Sequence, residues 1–579
     1  MHGGEFPQPV EKGLNVKRRR RFNMPKLTID GVEIEAAEGQ SVLEAALANG
    51  IHIPHFCFHP LLKVGGNCRM CLIEIEKVPK LQIACGTAVR DGMVVFTKTD
   101  RVTNARRGVL EFMLINHPLD CPVCDQAGEC KLQDYCFKYG MERSRFIEEK
   151  HTFEHQDLGP WLSKDMNRCL HCTRCIRFMR DIAGSEELTL HERGNDTVVG
   201  PYLETSIENE FCLNLVDICP VGALTSKPFR FQARSWLMEK TRTLCAGCSR
   251  GCNVIAWTYK GRLLRLTPAE NAHVNQCWLC NPGRMSFESL YAKNRLTTAM
   301  ESMTDTDIVS ALDTAAGKLK SVPGEKTAVI ASRFLTIEDN YLICRFARDV
   351  LNTEKVAFVS GPEDDSEFGP SKAPLPDWFM REDLSPNSTG AAHVLNAFGY
   401  DLKPATLIEE IENGEIRALL VFGDNFAASM GDVSRVKSAA NRLSFVMVTD
   451  SHSSTTTDMA SVFIPESTFA EKDGTYTNEG GRVQKLKAAL RPQNDCRSAW
   501  QTVQELASRL GVKWNYTSAS QIFDEMAAVV PEYEGMSFSD IPDEGIQTTK
   551  EPEPEDATAG TGDNGENVKT ADGNAEEAD

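Results

Sequence analysis

Cys169-Leu170-His171-Cys172-Thr173-Arg174-Cys175, answered downstream by Cys219-Pro220, is the stretch on which the reading of this chain turns. A C-x2-C-x2-C run puts three thiols on one short loop, a pattern made for metal. In its doubled form each run reads C-x2-C-x2-C-x3-C-P and lends its last cysteine to the other run's iron–sulfur cluster. The chain can be laid on that double pattern position by position. In the first run the fourth slot falls on Met179; in the second the slots fall on Asn209, Cys212, Leu215 and Cys219. One cluster therefore keeps four thiols, Cys169, Cys172, Cys175 and Cys219. The other would be left with Met179, Asn209, Cys212 and Leu215, one thiol of four. The expectation is a two-cluster fold that holds one cluster, with mostly apolar side chains in the place of the other and Cys212 as a relic. A chance zinc site would not explain a Cys-Pro in the register of the second run. His171, inside the loop, is expected to be structural or solvent-facing.

Working outward, all twenty cysteines but Cys344 and Cys496 lie between Cys57 and Cys280. A long chain with no apolar leader is not a small exported disulfide scaffold, so metal ligation in a reducing cytosol is expected. Cys57, Cys68, Cys71 and Cys85 read C-x10-C-x2-C-x13-C, with Gly65 and Gly66 in the loop, where small residues let backbone N–H groups turn toward sulfur. His52, His55 and His59 stand nearby; four thiolates already complete a [2Fe–2S] site, so they are expected to pack. His117, Cys121, Cys124 and Cys130 read H-x3-C-x2-C-x5-C, a set that by itself also suits tetrahedral zinc. Cys245, Cys248, Cys252 and Cys280 read C-x2-C-x3-C-x27-C and run into Asn281-Pro282-Gly283-Arg284, with Cys277 as the alternative fourth donor. Cys136, Cys212, Cys277, Cys344 and Cys496 remain; Cys136 is expected as a buried free thiol and Cys344 inside a packed helix. Four redox-inert zinc ions in series have no evident purpose, whereas clusters in series each take one electron and hand it on.

The rest of the chain sets the frame. Eighty-two acidic against 63 basic side chains give a formal charge of −19, which argues against nucleic acid as a partner. No run of 18 apolar residues occurs, so no spanning helix is expected. The expected divisions are a disordered basic extension (1–23), a β-rich domain (24–105), a helical segment (106–145), a stretch of helix and loop (146–237), the last cysteine group (238–294), an α/β domain (295–535) and a disordered acidic tail (536–579). Lys26–Ile29 and Val32–Ala36 alternate around Gly31 as a hairpin. Ser41 caps a helix over Val42 to Ala48 that Gly50 ends. Apolar runs at Ala328–Ala331, Val356–Val359, Ala418–Phe422 and Ser444–Val448, separated by helix-like segments, predict a parallel sheet with crossover helices. Gly423-Asp424-Asn425 at a strand end reads as a nucleotide-type loop kept as shape without a ligand.

Taken in order, the first set resembles the β-grasp [2Fe–2S] ferredoxin domain, and the second resembles the His-ligated [4Fe–4S] site of complex I-type subunits and iron-only hydrogenases. The third is similar to a ferredoxin with one cluster, and the fourth resembles the [4Fe–4S] domain that opens molybdopterin oxidoreductases; there a Gly-Arg pair after the fourth cysteine favours Cys280 over Cys277. That order, with Cys219 to Lys227, Asn294 to Thr298, Glu471 to Glu479 and Gly481 to Gln484, resembles the large peripheral iron–sulfur subunit family of respiratory complex I over residues 24 to about 515. The resemblance implies a multidomain α+β and α/β fold, one [2Fe–2S] and three [4Fe–4S] clusters, and no molybdopterin. It implies NADH:quinone oxidoreductase activity within a complex, no catalytic residue on this chain alone, and a fourth cluster off the main path. Implied partners are a flavin/NADH-binding subunit, a thioredoxin-like [2Fe–2S] subunit, and ferredoxin-type and quinone-proximal subunits. The implied place is peripheral, on the cytoplasmic side of the inner membrane. The rivals are an NAD-linked molybdenum or tungsten formate dehydrogenase, an iron-only hydrogenase and a redox-inert zinc scaffold. The first needs more chain after Cys280 for its pterin, and the second needs further cysteines.

Overall fold

The computed structural model describes residues 24–154, 156–202, 205–358 and 381–548; the expected basic extension and Val359 lie outside them. Lys26–Ile29 (β1) and Val32–Glu35 (β2) pair antiparallel through Asp30 and Gly31, both at positive φ, the conformation that lets a two-residue turn follow the twist of its strands. Val42–Ala48 (α1) starts on a Ser41/Glu44 capping box, as its sequence predicts. Leu72–Ile75 (β3), Gln82–Ile83 (β4) and Met93–Phe96 (β5) complete a five-stranded sheet in the order β2-β1-β5-β3-β4, with β1 and β5 parallel. Leu27, Ile29, Ile73 and Val95 meet Val42, Leu43 and Ala46 of α1 in one core, which is the β-grasp arrangement.

Asp100–Leu114 (α2) and Lys131–Tyr139 (α3) follow. The division expected after residue 105 falls inside α2, and Arg106 shows why the helix is continuous there. Its guanidinium is buried and donates to Thr97 O and Leu72 O, each at 2.9 Å, tying the helix to the sheet before it.

The next region is not only helix and loop. Gln156–Asp157 (β6), Leu162–Lys164 (β7) and Leu224–Ser226 (β10) form one small sheet, and Thr189–His191 (β8) pairs with Val198–Gly200 (β9). Strands of two or three residues are too short for alternation to register in sequence. Arg174–Asp181 (α4) and Asn214–Ile218 (α5) carry the cysteine loops between them. Glu239–Leu244 (β11), Asn253–Tyr259 (β12) and Arg262–Pro268 (β13) then make an antiparallel sheet, closed by the short helix Asn281–Met285 (α6).

The last region is α/β. A seven-stranded sheet includes Met300–Glu301 (β14), Thr304–Asp305 (β15), Thr327–Ala331 (β16), Val356–Phe358 (β17), Ala418–Phe422 (β18), Phe445–Asp450 (β19) and Val462–Pro465 (β20), in the order β15-β14-β20-β19-β18-β16-β17. The strands β20, β19, β18, β16 and β17 run parallel. Val329 and Ala331 enter one apolar core while Ala328 and Ile330 enter another, so helices cover both faces, as a parallel sheet requires. Ile308–Lys320 (α7), Ile337–Phe346 (α8), Ala499–Arg509 (α9) and Ala519–Met526 (α10) lie on the first face. Cys344 is buried in α8, as expected. Gly474–Thr477 (β21), Arg482–Leu486 (β22) and Ile546–Gln547 (β23) form a final sheet. That last strand corrects the start of the expected tail: structure runs on to residue 548, because Ile541 is buried in the core with Met536 and Phe538 packed against it and β23 pairs with β22, while 549–579 lie outside the described residues.

Candidate iron–sulfur sites

Cys57, Cys68, Cys71 and Cys85 are all buried. The Cys57 N–H donates to Cys68 Sγ at 3.4 Å, and the four thiols act strongly on one another. That mutual interaction holds Cys57 and Cys71 below the ordinary thiol value and pushes Cys68 and Cys85 above it. The three neighbouring histidines are engaged in packing. His55 is buried with Nδ1 2.9 Å from Ile53 O, His59 stacks on Trp278 at 5.3 Å, and His52 meets the Tyr135 ring at 6.0 Å.

Cys169, Cys172, Cys175 and Cys219 line one cavity of about 30 Å³, walled otherwise by apolar groups such as Met166, Val199 and Val221. Cys175 sits in the first turn of α4; Cys219 ends α5, and Pro220 prevents the helix from continuing. Backbone N–H groups point at the sulfurs, those of Val221, Ala223 and Leu224 at Cys219 and that of His171 at Cys169 (3.3 Å). Such a lining holds negative charge on sulfur. Burial pushes the Cys169 thiol up to about 12 and Cys219 up to about 11, with Cys172 and Cys175 also raised. In so dry a pocket bare thiols keep their protons until a metal displaces them. His171 Nε2 lies 2.8 Å from Thr197 O, a structural tie.

This set lies against the first. Arg174 donates to Ile218 O at 3.2 Å and to Phe58 O. Arg177 donates to Cys172 O at 3.1 Å and to Cys57 O and Lys63 O. Asn67 Nδ2 donates to His171 O at 2.6 Å. Sequence reasoning missed both arginines, although their position among the cysteines was the available signal.

In the second set, Cys121, Cys124 and Cys130 lie within electrostatic range of one another; Cys124 is buried and Cys121 exposed. His117 Nδ1 is buried and has no hydrogen-bond partner, and burial holds the imidazole below its ordinary value. A neutral ring with an idle buried nitrogen suits a metal. Lys150 positions it, donating to Leu114 O (2.9 Å), Ile115 O (2.7 Å) and His117 O (2.9 Å) at the end of α2. Cys136 is half-buried, not the enclosed thiol expected, and lies within electrostatic range of Cys130 and Cys121. It packs at the edge of the cluster that buries Leu132 and Tyr135 of α3, which leaves it partly open. The second set shares a wall with the third: a Cβ added to Gly222 would strike Cys124 Sγ, and Lys131 N donates to Pro220 O at 3.2 Å.

Cys245, Cys248, Cys252 and Cys280 line a cavity of about 510 Å³; Cys277 does not border it. Cys280 caps α6, its Sγ accepting from Gly283 N at 3.3 Å. A side chain at Gly283 would stand 3.0 Å from Cys245 Sγ and 3.1 Å from Cys280 Sγ, so glycine keeps this cradle open. Burial raises all four thiols, Cys280 to about 12. Met179, Cys212 and Leu215 are fully buried in one core with Phe178, Phe211 and Trp278. Asn281 Nδ2 donates to Cys212 Sγ at 3.3 Å, and its Oδ1 accepts from Leu213 N at 3.1 Å. The loop of the fourth set thus packs where the sequence places a lost cluster. Among the described residues no three His, Cys, Asp or Glu side chains are grouped as around a single ion. The thiols of the third and of the fourth set each line a cavity instead.

Five protein-family models match the chain. They are the 2Fe-2S iron-sulfur cluster binding domain (23–100), the NADH-ubiquinone oxidoreductase-G iron-sulfur binding region (106–145), the ferredoxin-like domain of NADH-quinone oxidoreductase subunit 3 (159–225), the molybdopterin oxidoreductase Fe4S4 domain (238–292) and molybdopterin oxidoreductase (386–509). The G subunit of NADH-quinone oxidoreductase from Rickettsia felis is 44% identical over 323 residues, 55% of this chain and 48% of that protein. Its counterpart from Rickettsia bellii is 42% identical over 332 residues, 56% of this chain and 48% of that protein. The chain thus spans about half the length of these curated relatives. The mitochondrial NADH-ubiquinone oxidoreductase 78 kDa subunit of Candida albicans is 29% identical over 88% of this chain and 86% of its own. A chain of a solved NAD+-reducing [NiFe]-hydrogenase is 32% identical over 36% of this chain and 91% of its own, with a TM-score of 0.34.

Proposed function

We propose that the chain is a member of the G-subunit family of NADH-quinone oxidoreductases, which it resembles over about half of those proteins' length, and that it is the iron–sulfur subunit that carries single electrons from a flavin subunit toward quinone. The observation that carries this reading is the continuity of three thiol sets. The third shares Arg174 and Arg177 with the first, and Gly222 and Pro220 with the second. Iron–sulfur clusters supply the one-electron carriers when bound there. Cys57, Cys68, Cys71 and Cys85 would hold [2Fe–2S]. His117 with Cys121, Cys124 and Cys130, then Cys169, Cys172, Cys175 and Cys219, then Cys245, Cys248, Cys252 and Cys280 would each hold [4Fe–4S].

Contacts favour the Cys169 set as the middle station between the other two. The way out would be the second set. Its Cys121 is exposed, and Phe112, Leu119, Val123, Phe137 and Ile147 of the same stretch of chain are exposed too, as suits a surface covered by another subunit. The fourth set adjoins the third through the packed core of the lost cluster and would be structural. Among the described residues no helix is long and apolar enough to cross a membrane; the proposed place, by the likeness to the G subunits, is peripheral, on the cytoplasmic side of a membrane complex. A pterin is not expected in the α/β half. Asn425 Oδ1 accepts from Thr455 and Thr456 hydroxyls at 2.9 and 3.0 Å, so the strand-end loop is closed by its own bonds.

Iron and acid-labile sulfide assayed on the purified chain test the reading; about 14 iron atoms per chain are expected from one [2Fe–2S] and three [4Fe–4S] clusters. A colourless zinc protein would reject it. In the assembled complex Cys172→Ala should abolish quinone reduction by NADH while flavin-level ferricyanide reduction survives.

A further inference from the structure

We propose that Arg174 and Arg177 are the shared counter-charge of the first and third cluster sites, positioning residues that raise the reduction potentials of both together. The inference rests on the iron–sulfur reading above and deepens it. Both arginines leave α4, within the third set, and both reach the first: Arg174 to the carbonyl of Phe58, next to Cys57, and Arg177 to the carbonyl of Cys57 itself. Each also holds its own side of the boundary, Arg174 through Ile218 O beside Cys219 and Arg177 through Cys172 O. The Arg174 charge is felt by Cys172, Cys219 and Cys57 alike.

Charge makes the placement more than mechanical. Arg174 and Arg177 are 5% and 6% exposed, and among the described residues neither has a carboxylate within ion-pair distance. Asp181, which feels Arg177, is itself bonded to Arg180 at 2.8 Å. A buried cation without an anion is strongly unfavourable, yet this otherwise acidic chain places two of them between eight thiols. Thiolate-ligated clusters are net anions and gain one more negative charge on reduction. A fixed guanidinium between two of them therefore favours the reduced form of each. It also keeps the two potentials moving in step, which suits neighbouring stations on one path.

The test is a redox titration followed by electron paramagnetic resonance on the assembled complex, with Arg174→Gln and Arg174→Lys and the same pair at Arg177. Gln keeps a hydrogen-bond donor without the charge; Lys keeps the charge without the fork. Gln at either position should move the midpoints of both the [2Fe–2S] and the third cluster to more negative values, with Lys close to wild type. If Gln prevents cluster incorporation, Lys should restore it. Midpoints unchanged in fully loaded Gln variants, or Lys and Gln behaving alike, would overturn the proposal. Absence of iron in the wild-type chain would instead overturn the reading on which it rests.

Discussion

Gly222 shows how much one residue settles here. It follows the Cys219-Pro220 turn of the third set, yet the atom it leaves room for is Cys124 Sγ of the second. Gly222→Ala should therefore remove the second cluster and leave the third: iron falls by about four atoms per chain, and the signal of the His-ligated centre is lost while that of the Cys169 set stays. Loss of both signals would mean that the shared wall acts as one unit. Cys212 makes the opposite case. It is fully buried and, among the described residues, its thiol is bonded to the Asn281 amide, so Cys212→Ala should cost about 1 kcal/mol in an unfolding titration and keep every cluster. A missing cluster in that variant would refute the relic assignment. Cys277→Ala should be equally silent, since the Cys245 cavity is bordered by Cys280 and not by it.

At the scale of elements, α2 is the piece that aims His117. Its last carbonyls are orphaned, as at any helix end, and Lys150 closes those of Leu114 and the cap residue Ile115, and His117 O beyond them, with one ammonium. Lys150→Ala should weaken this end by about 1 kcal/mol and broaden the resonance of the His-ligated centre, while Lys150→Arg restores most of it. Little of this was legible in sequence, because Lys150 lies far along the chain in a stretch without periodicity. What was legible is what local chemistry dictates: Ser41 and Glu44 capping α1, the Gly31 turn, the long apolar strands of the parallel sheet, and the cysteine spacings. Strands β6 to β10 escaped because they are too short to alternate. The continuity of α2 past residue 105 escaped because a cysteine-based division ignores where Arg106 points. The order beyond residue 535 escaped because scattered apolar residues, Met536, Phe538 and Ile541, do their packing inside an acidic composition.

Across the whole molecule the two halves bury opposite charges. The thiol-bearing half encloses Arg106, Lys164, Arg174 and Arg177, and its stability is tied to the anions it binds. The α/β half encloses acids. Lys472 stands between Glu466 (2.9 Å) and Asp339 (3.1 Å), Glu338 accepts from the Thr475 N–H and hydroxyl, each at 2.9 Å, and Asp424 Oδ2 has no partner. Burial pushes Asp424 up to about 7 and Glu338 up to about 8, against about 4 in an unfolded chain. Between those values the folded state holds protons that the unfolded state has released, so protons favour folding. Stability of this half should then fall as pH rises from about 5 to about 8, by up to about 1.4 kcal/mol per pH unit for each group, and level off above. Calorimetry of the full chain from pH 5.5 to 8.5 should show the melting of the α/β unit moving down with pH. Glu338→Gln and Asp424→Asn, which keep shape and cannot ionise, should flatten that slope. A melting temperature that climbs over the same range would show that the carboxylates are ionised in the fold, with Lys472 and the backbone N–H groups outweighing burial.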